Sequence, residues 1–314
     1  RQLKDAHISV FMIGGNHDVP RMSEYAQLAI DVLGSAGLAT VFSGSERIQK
    51  KLLRMDGSTI CVSGKSYYAR YEGKNPLEGE KVPLDGHRNI LMLHGSLAGL
   101  GVTPVIPEMS NQNPFGPKDI RKGLNYLALG HYHNSFKREH DGCLICNPGS
   151  IEKLSWAEMN DEKGFYWVEL NEREASSEFI KLDTRPMEAH ELPLSKSFGE
   201  KLNEAVEDFL RKHRDEKKML KLSLTGNVSQ IQYAKMKLND IYRACNEMFF
   251  HLVLDRSQLE VEGVGRIFLG RIENPIEAFV GRLDKMISET SDPAITGLLL
   301  EVRELGLKYL EAER

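Results

Sequence analysis

Three short apolar segments each end in a glycine-flanked polar cluster, and this repeated pattern constrains the fold more than any other feature of the chain. In sequence order, the segments with their clusters are residues 8–18, 89–96 and 126–133. Short, nearly continuous apolar runs are typical of strands that are buried on both faces, as in a parallel or mixed sheet. The pattern therefore predicts an α/β fold with a ligand site at the carboxyl ends of these strands.

The side chains at the three strand ends form a donor set that suits a transition metal. They are Asn16, His94, His131 and His133, and one amide oxygen with three imidazoles is suitable for Mn, Fe or Zn. Taken alone, the Asn16 turn is equally typical of an Asx turn with a surface histidine. His131 and His133 are two residues apart, so they lie on one face of a regular strand or, at a strand end, reach two adjacent metals. Because three such ends can meet at one sheet edge, we predict a metal site there.

Composition excludes several classes of protein. The 41% hydrophobic and 27% charged residues are ordinary for a soluble globular chain of 314 residues. The formal net charge of -4 means that a nucleic-acid contact has to rely on a local basic patch or on metal ions. No apolar run is long enough to span a membrane. Four irregularly spaced cysteines are typical of the reducing cytoplasm, and the Cys143/Cys146 pair lacks the second pair of a zinc site.

The periodicity of the chain predicts three domains. Residues 1–186 alternate strands with polar loops and carry the three clusters. Residues 187–271 have the helix and strand order of a small α+β domain, in which residues 230–245 are expected to form one helix. Residues 272–314 contain two amphipathic helices, whose apolar faces require either the preceding domain or a partner.

Four motifs, in this order, resemble the calcineurin-like metallophosphoesterase superfamily: Gly15-Asn16-His17-Asp18, Leu93-His94-Gly95, Gly130-His131-Tyr132-His133 and Asn147-Pro148-Gly149-Ser150. Within it, the stretch from Asn147 to Lys153, followed by Lys163-Gly164-Phe165, resembles the SbcD-type nuclease of double-strand-break repair. The resemblance implies a four-layer αββα core, a small capping domain after residue 186 and helices that bind an ATPase.

The resemblance also implies roles for individual residues. Two divalent metal ions, manganese in these nucleases, are expected, with Asn16, His94 and His131 on one ion and His133 on the other. His17 is expected to protonate the leaving oxygen, and Asp18 to support its neighbours. The implied activity is exonuclease or endonuclease cleavage of DNA, and the implied partners are an SbcC-type SMC-like ATPase and a second copy of the chain.

Candidate DNA contacts are basic and polar residues near the same edge. They are the loop of residues 97–118 and the side chains of Arg121, Lys122, Lys137, Arg138, Asn147, Ser150 and Lys153.

One departure from the family pattern concerns carboxylates. The family also uses an early D-x-H and a G-D, and neither precedes residue 13 in this sequence. We therefore expect an amino-terminally truncated nuclease with weak metal binding and little or no activity. Two alternatives stay open, namely a metallophosphoesterase acting on nucleotides or phosphoproteins, and a scaffold with an incomplete metal site.

Overall fold

A computed structural model of the chain describes residues 1–18, 28–43, 45–55, 57–67, 73–103, 113–171, 174–266, 275–290 and 293–312. The chain divides into two compact units, residues 1–188 and 189–314. None of the helices in the described ranges is both long and apolar enough to cross a membrane.

The first unit is a mixed α/β structure with short helices and many strands. Its elements are α1 (Gln2–Asp5), β1 (Phe11–Met12), α2 (Asp31–Ser35), β2 (Thr40–Val41), β3 (Gln49–Met55), β4 (Ser58–Lys65), β5 (Arg88–His94), β6 (Ser96–Leu97), β7 (Pro114–Phe115), β8 (Tyr126–Gly130), β9 (Phe136–His140), β10 (Cys143–Asn147), β11 (Gly164–Leu170) and β12 (Ala175–Lys181), with 3-10 turns at Pro117–Asp119 and Trp156–Glu158.

A six-stranded sheet in the order β3-β4-β5-β8-β10-β9 forms the centre of this unit. The four inner strands are parallel to one another. The edge strands β3 and β9 run antiparallel to the inner strands beside them, β4 and β10. Leu91, Leu127 and Ile145 on three adjacent strands are at most 1% exposed and belong to one apolar cluster. The predicted α/β class is confirmed, and β5 and β8 end side by side because His94 pairs with Gly130.

The first predicted strand is shorter and less buried than its apolar sequence suggests. β1 comprises Phe11 and Met12, pairs in parallel with β2 and lies outside the six-stranded sheet. Ile8 is 54% exposed, so burial on both faces is wrong for the start of this run. Residues 19–27 lie outside the described part of the chain, and α2 begins at Asp31.

The second unit combines a four-stranded sheet with helices. Its elements are β13 (Met187–Ser195), which begins two residues before the unit boundary, α3 (Leu202–Lys212), β14 (Asp215–Val228), α4 (Gln230–Lys235), α5 (Leu238–Cys245), β15 (Phe249–Val261), β16 (Gly265–Arg266), α6 (Pro275–Glu289) and α7 (Pro293–Ala312), with 3-10 turns at Lys196–Lys201 and Asn246–Met248.

The strand order in this sheet is β13-β14-β15-β16, with β14 parallel to β15. Its apolar core includes Val206, Leu222 and Leu224, each fully buried. The single helix predicted for residues 230–245 is wrong, because Met236 is extended with φ -70° and ψ 119°. Asn203 stabilises this break by donating to the Lys235 carbonyl and accepting from the Lys237 N–H, each at 3.1 Å.

Candidate metal centre

Two hydrogen bonds attach the turn after β1 to the residues that follow β4. The Gly14 N–H donates to Ser66 Oγ at 2.9 Å, and the Tyr67 N–H donates to the Gly14 carbonyl at 2.9 Å. Ser66 Oγ in turn donates to the Phe42 carbonyl at 2.6 Å, beyond the end of β2. Because β4 lies next to β5 in the sheet, these bonds place the turn at the edge where His94 ends its strand.

Gly15 lies so close to His94 that a side chain has no room. A Cβ atom at Gly15 would lie 2.6 Å from His94 Cε1, well inside contact distance. The same residue donates its N–H to Asp18 Oδ2 at 2.8 Å, which closes the turn over residues 15–18. The glycine therefore allows Asn16 to reach the imidazole of His94.

Asn16, His94 and His131 converge through their side-chain heteroatoms. His94 Nε2 lies 2.9 Å from Asn16 Oδ1 and 3.2 Å from His131 Nδ1. Ligands at right angles around a cation, with bonds of about 2.1 Å, are about 3.0 Å apart. One proton on His94 Nε2 satisfies at most one of these two contacts, so the cluster offers lone pairs that a cation would accept. The three residues thus fit one face of a metal site.

His131 is held in an uncommon backbone conformation. Its φ of 113° lies in the region that residues with a side chain seldom adopt. The residue is 8% exposed, and its ring packs edge-on against His94 with the centroids 5.0 Å apart. Such strain persists where the surroundings fix it, and it is concentrated at functional sites.

The surroundings of His94 favour its neutral form. Burial, followed by the charges of His131, His17 and His133, lowers the pKa of His94 to about 3. A metal requires the unprotonated ring nitrogen, so His94 is in the ligand-competent form at neutral pH.

His133 is placed by a different set of partners. Its Nδ1 lies 2.9 Å from Oε1 of Glu158, and Glu158 is completely buried. Lys163, 1% exposed, donates its ammonium to Glu158 Oε2 at 2.7 Å. Burial alone would raise the pKa of Glu158, but hydrogen bonds from Lys163, His133 and the Leu154 N–H outweigh it and lower that pKa to about 2. Sequence reasoning assigned no role to Glu158 or Lys163.

Asn147 shapes the loop that carries His133. It is 1% exposed, and its Nδ2 donates to the carbonyls of Tyr132 and Asn134 at 2.8 Å each. Both amide hydrogens are therefore used within the loop, whereas Oδ1 is buried with no hydrogen-bond partner among the described residues. The substrate contact predicted for Asn147 stays a prediction. Gly149, at φ 79°, passes so close to His133 that a Cβ would lie 2.5 Å from its carbonyl oxygen.

The remaining predicted site residues are near the surface. His17 and Asp18 are exposed, and Asp18 receives the Gly15 N–H. Ser150 donates its hydroxyl to Glu158 Oε2 at 3.2 Å. Lys153 is half-buried, and its main-chain N–H donates to Glu152.

Several of the predicted DNA contacts stabilise loops. Arg138 donates to the carbonyls of Leu100 and Gly101 at 2.6 and 2.7 Å, and Arg121 donates to the Val82 carbonyl at 2.6 Å. Lys137 donates to the Ser177 carbonyl at 3.3 Å. Of the loop predicted at residues 97–118, positions 104–112 lie outside the described residues.

Within the described ranges, no three His, Cys, Asp or Glu side chains form a group that could hold a metal by themselves. The convergent set consists of two histidines and an asparagine, so the amide of Asn16 is its third member. A cleft of about 240 Å³ borders His94 and is lined by polar side chains that include Lys65, Tyr67 and Asn113.

Comparison with known proteins agrees with this geometry. Residues 1–172 match the calcineurin-like phosphoesterase superfamily domain. The chain is similar to the DNA double-strand break repair protein Mre11 of Methanocaldococcus jannaschii, at 26% identity over 65% of this chain and 54% of that protein. It is also similar to Mre11 of Methanococcus maripaludis, at 26% identity over 54% of this chain and 45% of the relative.

A further relative is the uncharacterized metallophosphoesterase YhaO of Bacillus subtilis, 28% identical over 57% of this chain and 41% of that protein. The chain spans about half the length of the curated relatives that it matches. The family match covers more than half of the 314 residues and includes all four predicted ligands. The chain therefore belongs to the calcineurin-like phosphoesterase superfamily.

Proposed function

We propose that the chain is part of a metal-dependent DNA nuclease, exonuclease or endonuclease, which processes double-strand breaks together with an SbcC-type SMC-like ATPase. The observation that carries the proposal is the convergence of Asn16 Oδ1, His94 Nε2 and His131 Nδ1 at one edge of the sheet. Similarity to two proteins named for DNA double-strand break repair supports DNA as the substrate.

Two divalent cations, manganese by preference, are the proposed cofactors. Asn16, His94 and His131 would hold one ion, and His133 would contribute to the other. Bound cations of this kind would supply Lewis-acid stabilisation of the phosphoryl oxygens. Among the described residues no carboxylate joins the Asn16, His94 and His131 set, so we expect weak metal binding and slow turnover by this chain alone.

His17 is the proposed general acid. His17 is next to the ligand Asn16 in the sequence and has an exposed ring. It is also among the groups that lower the pKa of His94, so a phosphodiester at the metal centre would lie within its reach. Protonating the leaving oxygen avoids the release of an alkoxide. Asp18 would support this step by accepting the Gly15 N–H and so keeping the turn closed.

The second unit offers an exposed apolar surface to which the proposed ATPase partner could bind. Helix α7 exposes Leu298, Leu300 and Leu305 at 60%, 49% and 58%, and such a surface suits an apolar contact with the ATPase. Deletion of residues 272–314 should therefore abolish ATPase association. A second copy of the chain is another proposed partner. Ser150 and Lys153 remain candidate contacts with the substrate. We expect the protein to act in the cytoplasm.

A second candidate function is hydrolysis of nucleotides or phosphoproteins. The similarity to the metallophosphoesterase YhaO favours it, because the metal centre alone does not select a substrate. Under a third candidate, the site is incomplete and the chain serves as a scaffold.

The test is manganese-dependent cleavage of end-labelled duplex DNA by the protein, with nucleotides and a phosphopeptide as competing substrates. His17→Ala should lower cleavage by about 10²- to 10⁴-fold with unchanged manganese content. The matched control is His251→Ala, because His251 is exposed in the second unit.

Each other outcome has a definite meaning. Loss of manganese from His17→Ala would contradict the division of roles between His17 and the ligands. Turnover of nucleotides without cleavage of DNA would favour the second candidate. A protein that binds manganese and hydrolyses none of these substrates would favour the scaffold.

A further inference from the structure

A network of hydrogen bonds surrounds His133 on the side of its Nδ1 atom. Its two buried charged members, Glu158 and Lys163, are 0% and 1% exposed, and the partly exposed Asp161 places Oδ2 3.5 Å from Lys163 Nζ. Charged groups are seldom buried this completely unless they are paired and each hydrogen bond is made. Three of the four residues between them, Asn160, Asp161 and Glu162, are polar and give no reason for such burial. The pair therefore requires an explanation beyond packing.

The hydrogen bonds show that Glu158 is a carboxylate. Its Oε2 accepts from Lys163 Nζ at 2.7 Å, from Ser150 Oγ at 3.2 Å and from the Leu154 N–H at 3.3 Å. Its Oε1 accepts from Ser155 Oγ at 3.1 Å and faces His133 Nδ1 at 2.9 Å. An ammonium and a main-chain N–H can only donate, and the negative charge neutralises a lysine that is itself out of water.

This carboxylate selects one tautomer of His133. An ionised carboxylate accepts hydrogen bonds and cannot donate them, so the 2.9 Å contact requires a proton on His133 Nδ1. In a neutral imidazole the lone pair then lies on Nε2, at the opposite side of the ring. A histidine that binds a metal through one nitrogen commonly donates its other N–H to a carboxylate in this way.

Lys163 is linked to His133 twice, through Glu158 to the ring and directly to the main chain. Besides Glu158, its Nζ donates to the main-chain carbonyl of His133 at 2.9 Å, and the Ser150 N–H donates to that carbonyl at 3.1 Å. The ring, the carboxylate, the ammonium and the carbonyl thus form a closed circuit. Such a circuit fixes the backbone and the ring direction of His133 together, which a single contact would not do.

We infer that Glu158, held by Lys163, is a positioning residue that fixes His133 as the Nδ1–H tautomer and presents its Nε2 as a metal ligand. The inference rests on the proposed function for the role of His133 as a ligand. The tautomer itself is a property of the metal-free chain.

The experiment begins with metal-free protein labelled with ¹⁵N in its histidines. Ring nitrogen and proton shifts distinguish the two tautomers, and the His133 signal is assigned as the one missing from His133→Gln. We expect His133 to carry its proton on Nδ1. A proton on Nε2 in the unsubstituted chain would overturn the inference, whether or not any metal binds.

Two variants then test the cause. Glutamine at position 158 would still offer a carbonyl oxygen to His133 Nδ1, so the acceptor is removed with Glu158→Leu. This change alone would leave the buried Lys163 with only Asp161, 3.5 Å away, as a counter-charge, so it is combined with Lys163→Met to remove both buried charges. The control is Glu162→Gln, because Glu162 is 64% exposed and pairs with Lys181 instead. The double variant should lose the Nδ1–H signal and populate the Nε2–H form, and the control should not. An unchanged tautomer in a folded double variant would overturn the inference.

Manganese titration by calorimetry separates this inference from the proposed function. In the double variant, one ion should bind about 10- to 100-fold more weakly, while the ion assigned to Asn16, His94 and His131 keeps its affinity. If the tautomer changes and both affinities stay the same, the metal-presenting role is overturned. If the unsubstituted chain binds no manganese and its His133 still carries the Nδ1 proton, the proposed function fails and the positioning of the tautomer by Glu158 stands.

Discussion

The two units of the chain bury different kinds of side chain. Nine polar or charged residues are buried among the described positions, and all of them lie in the first unit: Ser63, Ser66, Asn89, Ser96, Asn113, His131, Asn147, Glu158 and Lys163. The buried side chains described in the second unit are all hydrophobic, as the cluster around Leu220, Leu222 and Leu224 illustrates.

This difference shows what each unit is built for. Buried polar groups add little net stability even when they are hydrogen-bonded, and they become costly when a partner is lost. The first unit accepts that cost around His131, Asn147 and Glu158, next to the strand ends that carry the ligands. In the described part of the second unit the buried side chains are hydrophobic and pack as one apolar core.

The largest expected effect comes from breaking the buried ion pair of the first unit. Lys163→Met leaves the carboxylate of Glu158 in a buried position with no opposite charge, since the pair is 0% exposed on both sides. We expect a loss of about 3–5 kcal/mol in the free energy of unfolding. The two tryptophans of the chain, Trp156 and Trp167, both lie in the first unit, so urea denaturation followed by their fluorescence reports on this unit.

An exposed pair in the same unit supplies the control. Lys181 and Glu162 are each 64% exposed and 2.6 Å apart, and Lys181→Met should cost at most about 1 kcal/mol because water screens the pair. Equal losses for Lys163→Met and Lys181→Met would show that burial does not distinguish the two charges, and the contrast between the units would lose its basis.

The next effect concerns the apolar core of the second unit. Leu222 is fully buried between neighbouring leucines on β14, and Leu222→Ala should cost about 3 kcal/mol because it removes apolar contacts and leaves a cavity. Circular dichroism should show a lower urea midpoint for part of the signal, while the tryptophan midpoint stays the same. Leu298→Ala, at a position 60% exposed on α7, is the control. A shifted tryptophan midpoint in Leu222→Ala would mean that the two units do not unfold independently.

The sequence was most informative where local pattern decides the structure. Apolar runs predicted the strands that become β5 and β8, and the residues after them led to His94 and His131, because adjacent parallel strands end at the same edge. Asn16 was predicted as a site residue in the same way, although the strand before it, β1, is only two residues long. The motifs therefore predicted which groups meet without predicting the sheets in which their strands lie.

Long-range polar packing could not be predicted in this way. Glu158 lies 25 residues after His133 in a segment that also contains Glu152, Asp161 and Glu162, and nothing in the local sequence distinguishes the buried carboxylate from the others. The part that Asn147 plays in holding its loop was missed for the same reason, because its two partners are carbonyls that carry no sequence signal. The break between α4 and α5 depends on Asn203, more than thirty residues earlier, so helical periodicity over residues 230–245 missed it.

A smaller effect is expected from Gly15, where the first unit brings its backbone against a ligand. Gly15→Ala places a methyl group 2.6 Å from His94 Cε1, so the imidazole has to shift away from Asn16 Oδ1. We expect manganese affinity to fall at least about tenfold, or about 1.4 kcal/mol, with little change in the tryptophan unfolding midpoint. Gly116→Ala is the control, because a Cβ at Gly116 would lie no closer than 3.8 Å to its nearest neighbour, the Ala98 carbonyl oxygen, and its backbone is extended at φ -128°. Unchanged manganese affinity in Gly15→Ala would show that the spacing at His94 is not set by this contact.

The smallest effect belongs to a partly exposed carboxylate of the second unit. The Ser257 N–H donates to Asp255 Oδ1 at 2.9 Å, and Lys221 Nζ lies 3.2 Å from Oδ2. The main-chain hydrogen bond, with the Ser257 hydroxyl and Lys221, lowers the pKa of Asp255 below its usual value. A lowered folded-state pKa contributes stability that is complete above the unfolded pKa, about 3.9, and is lost as the pH falls through the folded value.

Asp255→Asn should therefore cost about 0.5–1 kcal/mol at pH 7, and the difference from the unsubstituted chain should disappear below the folded pKa of Asp255. The measurement is urea denaturation by circular dichroism at pH 7 and at successively lower pH, with Asp208→Asn, at a 76% exposed side chain, as the control. A cost that persists unchanged in acid would assign the effect to packing of the side chain. In that event the stability of the second unit, like that of the first, would depend on a polar side chain whatever its charge. The two units would then differ only in the buried charges of Glu158 and Lys163.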